Sequence, residues 1–161
     1  LPSMIARGEG YLLNTASAAG LLTQLGSLSY SVTKAAAVSV AEWLAISHHH
    51  QGIGVSVLCP QAVATSIVAN SPDFGHRGGM GDDDLKGGVA AGDGVISADQ
   101  VAQDCLDAIR EGRFHVLPHK EVQTYVERKA TDIDRWLAGM RRFQGSMYEV
   151  GNFPGDAIAP H

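Results

Sequence analysis

The 161-residue sequence holds two cysteines, 6% aromatic residues and 18% charged residues. Each scarcity excludes something. Cys59 and Cys105 form neither a C-x-x-C nor a metal-ligand spacing, so a disulfide scaffold and a thiolate metal centre are both excluded. The two thiols are expected to be buried in a reducing compartment, with a cytoplasmic location. Basic residues are in deficit: the formal net charge is −5, which offers no basic surface to nucleic acid or to an anionic membrane. No apolar run reaches the length of a bilayer span.

What is present is apolar and small: 45% hydrophobic residues with 19 glycines. A chain of this size buries one core, so 1–161 is read as a single domain. "GYLLNTAS" (Gly10 to Ser17) is a short apolar run that predicts a strand buried on both faces. A helix is predicted from Ser29 to His48, closed by Gly52, and its alanines, valines, Trp43 and Leu44 predict cover on several sides. "IGVSVLCP" (Ile53 to Pro60) predicts a second strand, stopped by proline. Residues 71–94 form a Gly/Asp-rich loop without periodicity, long enough to suggest a lid. Ser97 to Gln100 reads as a capping box for a helix whose inner stripe is Val101, Cys105, Leu106 and Ile109. Arg113 to His119 predicts a third strand. One long helix is predicted from Glu121 to Phe143, with Val122, Val126, Ile133, Trp136, Leu137 and Met140 on its apolar side. Alternating strands and helices make this an α/β fold with a parallel sheet.

Two tyrosines stand four residues before a lysine: Tyr30 before Lys34 and Tyr125 before Lys129. With four of each residue type, chance supplies such a pair in about one chain in ten of this composition, so context decides. Around Tyr125 the helix is amphipathic and charged, which predicts a half-buried aromatic ring and a solvated lysine. Lys34 instead runs into alanines, and Ser17 lies 13 residues before Tyr30 at the carboxyl end of a strand, where open α/β sheets bind their ligands. The position equivalent to Ser17 in the second copy is Gly112. The first pair, with Ser17, is the candidate site.

Those residues resemble the short-chain dehydrogenase/reductase family. "NTAS" with "AAG", then "YSVTKAAAV", then "GIGVSVLCPQAVATSI" are similar to its serine, its Tyr-x-x-x-Lys helix, and the strand and loop that close over nicotinamide. The likeness covers about residues 1–120 and implies a Rossmann-like, doubly wound sheet. It implies NAD or NADP as cofactor and the interconversion of a small-molecule alcohol and ketone. Catalytic roles would fall to Tyr30 as general acid/base, Ser17 as hydrogen-bond donor to the reacting oxygen, and Lys34 as holder of the nicotinamide ribose and partner of the tyrosinate. A cation 4 Å from a phenolate supplies about 4 kcal/mol at an effective dielectric of 20 but about 1 in water, so the pair works only in a closed site. Cofactor contacts would come from Tyr30, Lys34, Pro60, Val63 and Thr65. The resemblance further implies a catalytic strand and helix over 10–50, a nicotinamide loop over 53–70, a lid over 71–94, and closing helices and a strand over 97–144. A homodimer or homotetramer would form through the 29–48 helix. Where the family carries Pro-Gly this chain has Pro60-Gln61, and no G-x-G-x-x-G opens a helix. The sequence is therefore expected to be the carboxyl half of such a fold, and by itself to be inactive or a self-associating structural unit.

Other patterns read as structure. His48 to His50 sits where a helix ends and cations suit its dipole. Asp82 to Asp84 lacks the glycine and distal glutamate of a calcium loop, and no metal site is expected. Trp43 and Trp136 are expected in the core or an interface. Ser31-x-x-Lys34 has the spacing of an acyl-transfer nucleophile, without the downstream Lys-Thr-Gly which that chemistry uses.

Overall fold

The computed structural model describes residues 1–66 and 92–156. Helix α1 (Pro2–Arg7) carries proline in its first turn and ends on Gly8 in the left-handed conformation. It leads into β1 (Gly10–Thr15), short helix α2 (Ala18–Leu22), long helix α3 (Leu28–His48), and β2 (Ile53–Leu58). A two-residue strand β3 (Val63–Ala64) follows, then β4 (Ile96–Ser97), α4 (Ala98–Glu111), β5 (His115–Val116), α5 (Glu121–Thr131) and α6 (Ile133–Met147). The main sheet is parallel, in the order β1-β2-β5, while β3 and β4 form a separate parallel ladder. The α/β class and the parallel sheet expected from the sequence are both present.

Strand β2 explains the layering. Its odd residues Ile53, Val55 and Val57, with Cys59 beyond, pack with Val38 and Ala41 of α3. Leu58 points the other way, into a cluster with Val101, Cys105 and Ala108 of α4 and Val116 of β5. The period-two pleat thus covers one strand with a helix on each face. His49–Gln51 is a 3-10 turn capped by Gly52, whose φ of 76° suits glycine.

Several elements differ from the sequence expectation. Strand β1 is only half-buried, with Leu13 38% exposed, because it is the edge of the described sheet. Helix α3 buries Ser31, Val38 and Ala41 on one side, whereas Val32, Val40, Trp43 and Ile46 are exposed on the other, Trp43 at 60%. Cover on several sides is therefore not provided within the described chain, and Trp43 is not a core residue. On α4 the buried stripe is Val101, Cys105 and Ala108, at i, i+4 and i+7, and Leu106 faces outward. The third strand shrinks to two residues, although Phe114 and Val116 carbonyls still accept from Val57 and Cys59 amides. The single helix over 121–143 is two helices. Asp132 leaves helical geometry (φ −151°, ψ 91°) and its carboxylate accepts the Arg135 amide at 2.9 Å, which starts α6 anew. The Ser97 hydroxyl accepts the Gln100 amide at 3.1 Å, but the Gln100 side chain turns to Asp104, so the capping box is half made. Residues 67–91, which hold most of the 71–94 loop and Asp82 to Asp84, lie outside the described residues.

Candidate active site

Strands β1 and β2 end side by side, Thr15 opposite Leu58, and the chain that continues from each carries candidate residues. Two residues past β1, Ser17 adopts an extended conformation and caps α2, its hydroxyl accepting the Ala19 amide at 3.1 Å. The same hydroxyl donates to the Pro60 carbonyl at 3.4 Å, which also accepts the Ala18 amide at 2.9 Å. Pro60, two residues past β2, is thus fastened to the start of α2. The 3.4 Å bond is long for a hydroxyl donor.

Helix α2 turns back onto α3 through a segment where Thr23 holds a left-handed φ of 67°. Contact between the two helices is close enough that a Cβ on Gly20 would lie 2.6 Å from the Lys34 carbonyl oxygen. Half-buried Tyr30 stands in the first turn of α3, and Lys34 one turn on. The Lys34 ammonium is 5.6 Å from the centroid of the Tyr30 ring and donates to the Thr15 carbonyl at 3.3 Å. Ser31 is buried and committed: its hydroxyl donates to the Ser27 carbonyl at 3.0 Å and accepts the Gln24 amide at 2.8 Å. It braces the start of α3, and nothing in that geometry presents it as a nucleophile.

Beneath these groups lies Cys59, fully buried. Burial pushes its thiol up to about 11, against the smaller opposing effects of a hydrogen bond from the Ser17 backbone and the Lys34 charge. Both cysteines are free and buried, as expected from the sequence. That Cys59 would form the floor between Ser17 and Lys34 was not legible.

The structure therefore joins Ser17 to Pro60, Tyr30 to Lys34, and Lys34 to the end of β1. Val63 and Thr65 lie farther along the same turn: Val63 pairs with Ile96 in the small ladder, and the exposed Thr65 hydroxyl donates to the Val63 carbonyl at 3.5 Å. Gln61 is not among the described residues with positive φ, so the turn does not require the family's glycine. Its backbone amide instead donates to Nδ1 of buried His119 at 3.2 Å, a contact with no local sequence signal. His48 to His50 does close α3, with His48 bonded to Gln51. Among the described residues no cluster of three or more metal-ligating side chains occurs, and no described helix is long and apolar enough to cross a membrane.

Residues 1–74 match the family model described as short chain dehydrogenase. The chain is 29% identical over 139 residues to 1-deoxy-11-beta-hydroxypentalenate dehydrogenase of Streptomyces exfoliatus, covering 86% of this chain and 46% of that one. Among solved structures it is similar to a short chain dehydrogenase/reductase from Burkholderia phymatum in complex with NAD. The identity there is 29% and the TM-score 0.65, over 83% of this chain and 51% of the other. A short-chain dehydrogenase from Sphingobium yanoikuyae in complex with NADPH shares the fold, with a TM-score of 0.58 at 20% identity over 92% of this chain and 49% of its own. The chain thus spans about half the length of these relatives.

Proposed function

Because the chain is similar to short-chain dehydrogenases/reductases in sequence and fold, we propose that it belongs to that family and carries the catalytic residues of an NAD- or NADP-dependent oxidoreductase interconverting a small-molecule alcohol and ketone. The observation that carries this reading is the Lys34 ammonium, held by the Thr15 carbonyl and standing over the Tyr30 ring. The donor set at this sheet edge fits the nicotinamide end of such a cofactor: one ammonium, one phenol and the hydroxyls of Ser17 and Thr65. Lys34 would hold the ribose, and Pro60, Val63 and Thr65 would flank the carboxamide. When bound, the nicotinamide accepts or supplies hydride.

The protein's own work is on the oxygen. Tyr30, as phenolate, takes the proton of a substrate hydroxyl during oxidation, and as phenol returns it during reduction. Ser17 turns its proton from the Pro60 carbonyl to the substrate oxygen while its other hydrogen bond, from Ala19, keeps the side chain in place. Lys34 keeps its positive charge beside the Tyr30 ring, 5.6 Å from the centroid. In the full-length protein, Tyr30→Phe is expected to lower turnover by a factor of about 10²–10⁴ while cofactor affinity stays within a few fold. Undiminished turnover overturns the assignment.

A homodimer or homotetramer through α3 belongs to the same proposal, supported by the exposed row of Val32, Val40, Trp43 and Ile46. The 161 residues alone are proposed to be inactive and to hold a dinucleotide weakly. A pyrophosphate needs a helix N-terminus behind a glycine-rich turn, and none is found among the described residues. Calorimetric titration with both cofactors checks this, and micromolar binding refutes it.

A further inference from the structure

The turn that leads from Pro60 to Thr65 is held from behind by groups that take no part in the chemistry above. Gln61 Nε2 donates to Asp93 Oδ2 at 2.8 Å. The Tyr125 hydroxyl donates to Asp93 Oδ1 at 3.0 Å. Each carboxylate oxygen therefore has its own donor, one from the turn and one from α5, and both bonds are charge-assisted. Burial, and after it Asp93, push the Tyr125 phenol up, which keeps it a donor at neutral pH. His119 makes a second bridge. It is 3% exposed, its Nδ1 accepts the Gln61 amide at 3.2 Å, and its Nε2 lies 3.3 Å from the Gly94 carbonyl. One neutral tautomer, with the proton on Nε2, satisfies both contacts. Residues 93–94 are thereby fastened to Gln61 twice, and the Ile96 amide donates to the Ala62 carbonyl at 3.2 Å just beyond.

Helix α5 holds the opposite rim as well. Lys129 Nζ donates to the Leu21 carbonyl at 2.5 Å, in the last turn of α2, the helix that Ser17 caps. The second Tyr-x-x-x-Lys pair thus spans the site from outside. Lys129 grips the element that begins at Ser17, and Tyr125, through Asp93, grips the turn that bears Val63 and Thr65.

We propose that Asp93 and Tyr125 are positioning residues that fix the 60–65 turn in place, with Gln61 as the residue through which they act. The proposal rests on the reading of that turn as the nicotinamide contact. It also gives Gln61 a role: glycine at that position has no side chain to reach Asp93.

Two measurements test it. The first is amide hydrogen exchange across residues 61–66 in the protein without cofactor. Tyr125→Phe and Asp93→Ala should each speed exchange there by about tenfold, the scale of a lost charge-assisted hydrogen bond, with the paired β1 and β2 amides unchanged. The double variant should be no worse than either single one, since both act on one chain of contacts. Asp93→Asn should restore part of the protection, because the Asn oxygen can still accept from Tyr125 while its amide nitrogen donates to the oxygen of a flipped Gln61 amide, without the charge assistance. Unchanged exchange at 61–66, or acceleration spread evenly over the sheet, overturns the proposal. The second measurement, in the full-length protein, is cofactor KM, expected to rise about tenfold in Tyr125→Phe with kcat at saturating cofactor unaltered. A general loss of stability would not produce that split, and an unchanged KM overturns the positioning role. If the wild type turns over with neither NAD nor NADP, the oxidoreductase reading falls, and exchange at 61–66 still decides the brace.

Discussion

The Lys34 ammonium donates to the carbonyl of Thr15 at 3.3 Å, so the charge beside Tyr30 is anchored to the last residue of β1 and not to the helix that bears it. The anchor fixes where the cation stands. Under the proposed function, Lys34→Met should lower kcat/KM by about a hundredfold or more, since it would remove both the proposed ribose contact and the charge beside the phenol. Lys34→Arg should recover little of this. A planar guanidinium cannot place one donor on the Thr15 carbonyl and keep the same point charge over the ring. Steady-state kinetics of the full-length variants decide the matter, and a fully active arginine variant contradicts it.

Gly20 gives a structural test of the same site. An added Cβ would meet the Lys34 carbonyl oxygen at 2.6 Å, closer than backbone allows, so α2 must shift away from α3. Ser17 caps α2 and Lys34 sits on α3, so the shift separates the two. Gly20→Ala should destabilise the fold by about 1–3 kcal/mol and lower kcat more than cofactor affinity. Urea melts with parallel kinetics measure both, and wild-type values for both exclude this account of the contact.

The parts of this architecture that could be read in advance were those with short-range causes. The parallel α/β pattern, the Ser29–His48 helix and the two buried thiols follow from apolar periodicity and small residues. Ser17, Tyr30 and Lys34 stood out because a fixed spacing links them. What escaped depended on distant partners. Nothing local reveals that β1 lies at an edge of the described sheet, or that Leu106 faces outward. The break at Asp132 was written in a capping residue, but the apolar spacing of Ile133, Trp136 and Leu137 across it outweighed that signal. Lys129 was expected to be solvated. Its partner is the Leu21 carbonyl, 108 residues away in sequence, and Asp93 lay in a segment whose composition predicts only loop.

The outer face of α3 bears on assembly. Trp43 and Ile46 are 60% and 80% exposed, and apolar groups in a contiguous row lose water when a second copy covers them, by about 25 cal/mol per Å². Under the proposed assembly, sedimentation of the full-length protein at micromolar concentration should show a dimer or tetramer, and Trp43→Glu should shift it toward monomer without unfolding. A monomeric wild type rules this assembly out.

Cys59 links the floor of the site to pH. Burial raises its thiol from the ordinary 9.0 to about 11, so between those values the unfolded chain has lost a proton that the folded chain keeps. Stability then falls as pH rises, because fewer protons are bound in the unfolded state than in the native one. The contribution is fully present below about pH 9, declines through the window and is gone above about pH 11, amounting to roughly 2–3 kcal/mol for a shift of this size. Tyrosines and lysines titrate in the same range, so the informative quantity is a difference between proteins. Urea midpoints of the wild type and of Cys59→Ala, compared at pH 8.5 and 10.5, should show a steeper loss for the wild type. Cys59→Ala should begin less stable because of the cavity it leaves, yet lose less on going alkaline. Parallel losses in the two proteins would mean that the thiol ionises freely in the folded state, and that the space beneath Ser17 and Lys34 admits water.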